Sequence, residues 1–300
     1  MRVVVTGATG LIGRALVERL RARGDEVIAL SRDARRASAT LGVQAAAWDP
    51  AREPAPPDAL AGADAIAHLA GASVARRWTD AAKREIRDSR LHGTANLVAG
   101  LRTADPRPAV LVSASAIGYY GPHGDEPVDE SAPAGGDFLA ELCVGWEQAA
   151  LAAATAGARV VILRTGVILD RHGGALKKML PPFQVGLGGP IASGRQYVPW
   201  ITLDDVVGLY LAALDDARFD GPFNATAPTP VTNRELSKAL GRALHRPALL
   251  PVPAIALRAL YGDMAEIVTT GVNAKPVHAL KLGHRFAHLD LDAGLRAALR

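Results

Sequence analysis

The 300-residue sequence contains a single cysteine, Cys143, so it can form no internal disulfide and no multi-cysteine metal site, and it suits a reducing compartment. It has no HExxH spacing, and its eight histidines are scattered, so no metal site is expected. No run of about 18 apolar residues occurs, which argues against a membrane span. Neither sign of charge dominates: 34 Lys+Arg against 30 Asp+Glu leave +4. The basic residues are dispersed, without a zinc finger, basic helix or aromatic RNA-binding motif, so nucleic acid is not an expected partner. The start, MRVVVTGATG, lacks the basic flank, apolar stretch and cleavage site of a secretory signal, and a soluble, cytoplasmic protein is expected. No fixed-period repeat is present, and the Ala/Pro-rich stretches near 51–63 and 104–108 read as surface loops.

What is abundant is glycine, 30 residues, and alternation of strand-like with helix-like segments. Val3, Val4 and Val5 form an all-apolar run of the type buried on both faces. Ile12, Leu16 and Leu20 then recur at helical spacing, and VIAL at 27–30 supplies a second strand, completing a βαβ unit. Further strands are expected at 43–48, 64–70, 109–115 and 159–167, with helices at 80–103 and 138–157. Such alternation predicts a Rossmann-type α/β fold, a doubly wound parallel sheet. After residue 170 the chain turns Gly/Pro-rich, followed by helices expected at 203–217, 232–244 and 254–270 and strands near 222–226 and 248–252. The expected division is a nucleotide-binding domain over 1–170, with 203–226 returning to it, and a smaller C-terminal α+β substrate domain from 171–202 and 227–300.

The segment TGATGLIG places Gly7, Gly10 and Gly13 between the first strand and the first helix, with Thr9, Leu11 and Ile12 among them. Glycine there lets the backbone turn tightly and approach a pyrophosphate, whose charge meets the free N–H groups of the helix N-terminus. The second strand ends in Ser31 and Arg32 rather than the acidic residue that would hydrogen-bond a ribose and repel a 2′-phosphate. Arg32 can pair with phosphate, which favours NADPH over NADH; alternatively it is a solvated loop arginine offset by Asp33.

TGATGLIG, HLAG at 68–71, the serine-bearing strand before YYG at 119–121, and RTGVIL at 164–169 resemble the extended short-chain dehydrogenase/reductases of the NAD(P)-dependent epimerase/dehydratase type. ARRWTDAAKREIRDSR at 75–90, DFLAELCVGWE at 137–147, LPPFQVGLGGPIASGRQYVPWI at 180–201 and PVPAIALRALYGDMAEIV at 251–268 are similar to an epimerase-like subgroup designated 39U, with a characteristic C-terminal domain. The resemblance covers nearly the whole chain and implies an NADP-binding domain with a substrate cleft beside it. By position it implies cofactor contacts from Leu69, Ala70, Glu85, Arg90, Thr165 and Gly166. Glu85 and Arg90 are five residues apart, about 140° around a helix, so a common direction for the two is not required. Extended members often pair through two long helices, which makes a homodimer through 80–103 and 138–157 the expectation by analogy.

Short-chain dehydrogenases use Ser, Tyr and Lys, the last two as YxxxK, where the ammonium lowers the phenol pKa. No tyrosine here has a lysine four residues on. Anchoring on Glu147, the usual acid beyond the motif, places Leu139 and Cys143 where Tyr and Lys would stand. The remaining catalytic candidates are Ser115, preferred over Ser113 as a substrate hydrogen-bonder, and Tyr119 or Tyr120 as proton donor. Each has a structural alternative, capping for the serine and packing for the tyrosines. Arg195 and Tyr197 are candidates to recognise an anionic substrate. Two functions follow: an NADP(H)-dependent oxidoreductase or epimerase-like enzyme on a small polar molecule, or a non-catalytic NADPH-binding redox sensor.

Overall fold

The computed structural model describes residues 1–300. Three consecutive valines open the chain because the first strand, β1 (Arg2–Thr6), lies at the centre of a sheet covered on both sides. Val3 and Val5 pack on one face, with helix α1 (Leu11–Ala22); Val4 packs on the other, beside Leu97 and Leu101. The strands β2 (Glu26–Ser31), β3 (Gln44–Ala47), β4 (Ala65–His68), β5 (Val110–Ala116), β6 (Arg159–Thr165) and β7 (Gly221–Ala225) complete a seven-stranded sheet. Its order is β7-β6-β5-β4-β1-β2-β3, and every pairing is parallel. The order reverses between β1 and β4, which opens a crevice at the carboxyl ends of those strands.

Helices α2 (Ala34–Leu41), α3 (Asp80–Thr103) and α4 (Phe138–Leu151) begin at Asp33, Thr79 and Asp137, each accepting a backbone N–H in its side chain. α1 differs: Gly10 precedes it without a side-chain cap, and no acidic residue occupies its first turn. Beyond the sheet, α5 (Gly174–Gln184), α7 (Asn233–Ala243) and α9 (Leu291–Ala298) enclose a separate core of Leu176, Leu180, Phe183, Trp200, Leu236, Leu240 and Leu295. α6 (Leu203–Asp215) and β7 belong to the main sheet layer, with Tyr210, Leu214 and Phe223 in its core.

Two C-terminal expectations need correction. The single helix expected over 254–270 is broken: α8 (Ala254–Tyr261) stops at Gly262, whose φ is +62°, and short helical turns follow. The strand expected at 248–252 is extended chain with one bridge, Val252 to Ile191, because Pro247, Pro251 and Pro253 remove ladder donors.

Candidate active site

Gly7 has φ +64°, and a Cβ there would lie 2.6 Å from the Leu69 carbonyl carbon and 2.8 Å from the Ala70 nitrogen. A side chain at Gly13 would strike the Gly7 carbonyl and the Ala8 backbone. The loop is thus pressed between α1 and the end of β4, and only glycine fits its two tightest points. The concavity and the uncapped α1 N-terminus fit the pyrophosphate of a dinucleotide. Thr9 and Gly10 are exposed at its rim, and Leu11 packs against Gly173.

Beneath the loop, Thr6 Oγ1 accepts hydrogen bonds from the Leu69 and Ala70 N–H groups at 3.1 and 3.2 Å. With both lone pairs engaged, its proton goes to His68 Nδ1 at 2.7 Å, so the Nε2–H donates to Thr94 Oγ1 at 3.0 Å. Burial, helped by the Arg90 charge, pushes the His68 pKa down to about 4. A neutral imidazole therefore fixes the two residues that border the glycine loop.

Ser31 and Arg32 stand at the end of β2. Arg32 is exposed and makes no ion pair, while Asp33 is engaged in capping α2 through the Arg36 N–H. The neighbouring acid makes no direct ion pair with Arg32. α3 separates the other two candidates. Glu85 points outward and pairs with Arg76 at 2.7 Å, so it is not brought to the glycine loop. Arg90 turns inward, donating to the carbonyls of Ala72 and Ile86 at 3.0 and 3.2 Å, with its guanidinium 4.9 Å from the Trp146 ring centre. Gly166 follows β6 where a side chain would overlap the Pro199 carbonyl.

Ser115 is buried and already partnered. Strand parity turns it toward α4, where its Oγ donates to Glu147 Oε1 at 2.6 Å and is buried. Glu147 in turn receives both arms of Arg164, Nε and Nη2, each at 2.9 Å. Arg164 Nη1 donates to the Tyr120 hydroxyl at 3.0 Å, which donates to Asn224 Oδ1 at 2.8 Å. Burial alone would lower the Arg164 pKa, but the Glu147 hydrogen bonds and charge outweigh it and raise it. Burial raises the Tyr120 pKa to about 12 against the opposing pull of Arg164, so this phenol stays protonated, with its proton committed to Asn224. Ser115 is therefore a member of a buried polar cluster. Tyr119 is half-buried and presents its ring to the Arg164 guanidinium at 3.4 Å.

No group of three or more His, Cys, Asp or Glu side chains is placed to hold a metal ion. No helix is long and apolar enough to cross a membrane.

Residues 3–225 match the NAD dependent epimerase/dehydratase family, and residues 252–298 match a domain of unknown function, DUF1731. The chain belongs to the NAD dependent epimerase/dehydratase family. An epimerase family protein of Mycobacterium bovis is 44% identical over 295 residues, 98% of this chain and 96% of that protein. A chloroplastic SDR39U1 homolog of Arabidopsis thaliana is 41% identical over 308 residues, 100% and 87% of the two chains. The crystal structure of human epimerase family protein SDR39U1 with NADPH superposes with a TM-score of 0.89 at 35% identity, covering 100% of both chains.

In this member of the epimerase/dehydratase family, α4 packs against β5 and β6. Leu139 and Cys143, one helical turn apart on α4, lie against the end of β5. A Cβ at Gly118 would sit 3.2 Å from Leu139 Cβ, and Cys143 Sγ approaches the Ala116 carbonyl at 3.7 Å. Burial and then the Glu147 charge push the Cys143 thiol up to about 12, which removes it as a nucleophile. The Arg164–Tyr120–Asn224 chain is what sequence reasoning missed. No local pattern in the sequence marks it.

Arg195 and Tyr197 lie on the C-terminal side. Arg195 is exposed without an ion pair, and Tyr197 is half-buried in a two-residue strand paired with Val231–Thr232. The loop after β4 and the first turn of α3 are tied to the C-terminal module by Lys178 to the Ala75 carbonyl at 2.7 Å, Arg77 to the Ala259 carbonyl at 2.8 Å, and Lys83 to Asp263 at 2.6 Å.

Proposed function

We propose that this chain binds NADPH at the carboxyl end of its seven-stranded sheet and acts as an oxidoreductase on a small polar molecule, without a Tyr–Lys pair. The observation that carries the reading is Gly7, whose positive φ and backbone-to-backbone contact with Leu69–Ala70 fold the loop tightly in front of the uncapped α1 N-terminus, where a pyrophosphate would sit. The NADPH carried by the human relative supports it. The residues that would hold the cofactor are Gly7, Thr9, Gly10, Leu11, Ile12 and Gly13 at the pyrophosphate, Ser31 and Arg32 at the 2′-phosphate, and Leu69, Ala70, Arg90 and Gly166 along the cleft. Glu85 would join them only by exchanging its Arg76 partner. When bound, NADPH supplies hydride chemistry. Arg195 and Tyr197 would orient the substrate, and the Lys178 and Arg77 ties would hold the β4 loop over it.

The unpaired Arg32 predicts the cofactor preference. In Arg32→Ala, fluorescence titration should show NADPH affinity falling roughly 10- to 100-fold, the scale of a charge-assisted phosphate contact, with NADH affinity little changed. An unaltered ratio would remove Arg32 from the site. The apolar Leu139 and Cys143 favour a second reading, a non-catalytic NADPH-binding sensor. Its mark would be tight NADPH binding with no turnover on carbonyl compounds, sugar nucleotides or conjugated acceptors.

A further inference from the structure

The floor of the cleft lacks an acid but holds a cation. At the carboxyl end of β5, Ala116, Leu139 and Cys143 present two hydrocarbon side chains and a protonated thiol. The Ser115 hydroxyl is buried and committed to Glu147, and the Tyr120 hydroxyl is committed to Asn224. Beside them lies Arg90, whose guanidinium has no carboxylate partner. It reaches two backbone carbonyls and the Trp146 ring, and is near enough to Cys143 and His68 for its charge to act on both. An unpaired, partly buried guanidinium is costly, and burial lowers its pKa. Arginine still cannot serve as an acid, so what it offers is a fixed positive charge.

That combination discriminates between substrates. Hydride delivered to an isolated carbonyl creates a localised alkoxide, which needs an acid in contact with it; oxidation of a sugar hydroxyl needs a base in the same place. Hydride delivered to a conjugated ring system creates an anion spread over many atoms, which a nearby cation can hold until water protonates it. We infer that the site, if it is the NADPH oxidoreductase proposed above, reduces a planar conjugated acceptor of quinone or flavin type, with Arg90 holding the delocalised anion that forms. The cofactor gives up a hydride and becomes NADP⁺; the acceptor takes both electrons and that hydrogen as an anion; water donates the remaining proton.

The test uses the full chain. Menadione and FMN should oxidise bound NADPH, with a primary isotope effect from only one of the two C4-deuterated cofactors, which separates enzymatic from free-solution reduction. The rate should show no solvent isotope effect and should survive Tyr119→Phe. Independently of turnover, 2-hydroxy-1,4-naphthoquinone, a stable delocalised anion at neutral pH, should bind the NADP⁺-saturated protein with a change in its visible absorbance. Arg90→Gln should weaken that binding about tenfold or more, and Arg90→Lys, which keeps the charge, should restore much of it. Reduction of simple ketones or sugar nucleotides in preference to the conjugated acceptors, loss of turnover in Tyr119→Phe, or naphthoquinone binding indifferent to Arg90→Gln would each overturn the inference. NADPH fluorescence is recorded first: a protein that binds no NADPH overturns the underlying oxidoreductase reading too, whereas bound NADPH with no conjugated-acceptor chemistry overturns this inference alone.

Discussion

Thr6 and His68 show how much one pair of side chains can fix. The threonine hydroxyl holds the Leu69 and Ala70 amides and passes its proton to a histidine that must stay neutral. An unfolded histidine titrates near 6.5, whereas His68 in the fold is lowered to about 4 by its burial. The unfolded chain therefore takes up a proton first. The contribution of His68 is complete above pH 6.5, declines as pH falls from 6.5 toward 4, and amounts to about 3 kcal/mol across that window. Urea midpoints at pH 7.5 and 5 should differ in the native protein and differ less in His68→Gln. At this scale the glycine loop was legible because geometry admits only one residue type at Gly7 and Gly13. Ser115 was less legible for the converse reason: a serine at a strand end carries no mark of the partner its hydroxyl will take. Arg164 gave no sign either, since nothing local distinguishes an arginine that will be buried against Glu147 from one that will be solvated.

The elements meet at that buried cluster. α4 brings Glu147, β6 brings Arg164, β5 brings Ser115, and the turn after β5 brings Tyr119 and Tyr120. The side chains of Arg164 and Glu147 are 4% and 8% exposed, so neither charge has water to fall back on. Glu147→Ala would leave a guanidinium unpaired and should cost about 3–5 kcal/mol in urea unfolding. Ser115→Ala removes one donor from a carboxylate that keeps both arms of Arg164, and should cost about 1–2 kcal/mol without abolishing activity. Loss of turnover at unchanged stability in Ser115→Ala would return that serine to the reaction. Strands and long helices were legible in the sequence because their periodicity is set by burial on one or both faces. The segment 254–270 was not, because α8 has no buried residue and its apolar content follows no packing face.

Across the whole molecule, the chain leaves the sheet after β6, returns through α6 and β7, and leaves again. Asp205 secures the last departure. Its carboxylate accepts from the Ala287 and His288 N–H groups at 2.6 and 3.2 Å and from the Thr202 hydroxyl at 2.8 Å. Asp205→Ala strands these donors and should cost about 2–3 kcal/mol, with new protease cleavage near residues 283–290 in limited proteolysis. The alternation of strands and helices announced the parallel sheet, but long-range ties such as Asp205 to His288 have no signature in a single sequence.

Cys143 has a consequence at this scale as well. It is the sole thiol of the chain, sealed between β5 and α4 and protonated throughout the neutral range. A thiol-specific dye can mark the molecule only when that seam parts, once per chain and with no competing site. The residue therefore serves as an intrinsic clock: its labelling time counts openings at the floor of the cleft, and any ligand that clamps the cleft shut should slow it.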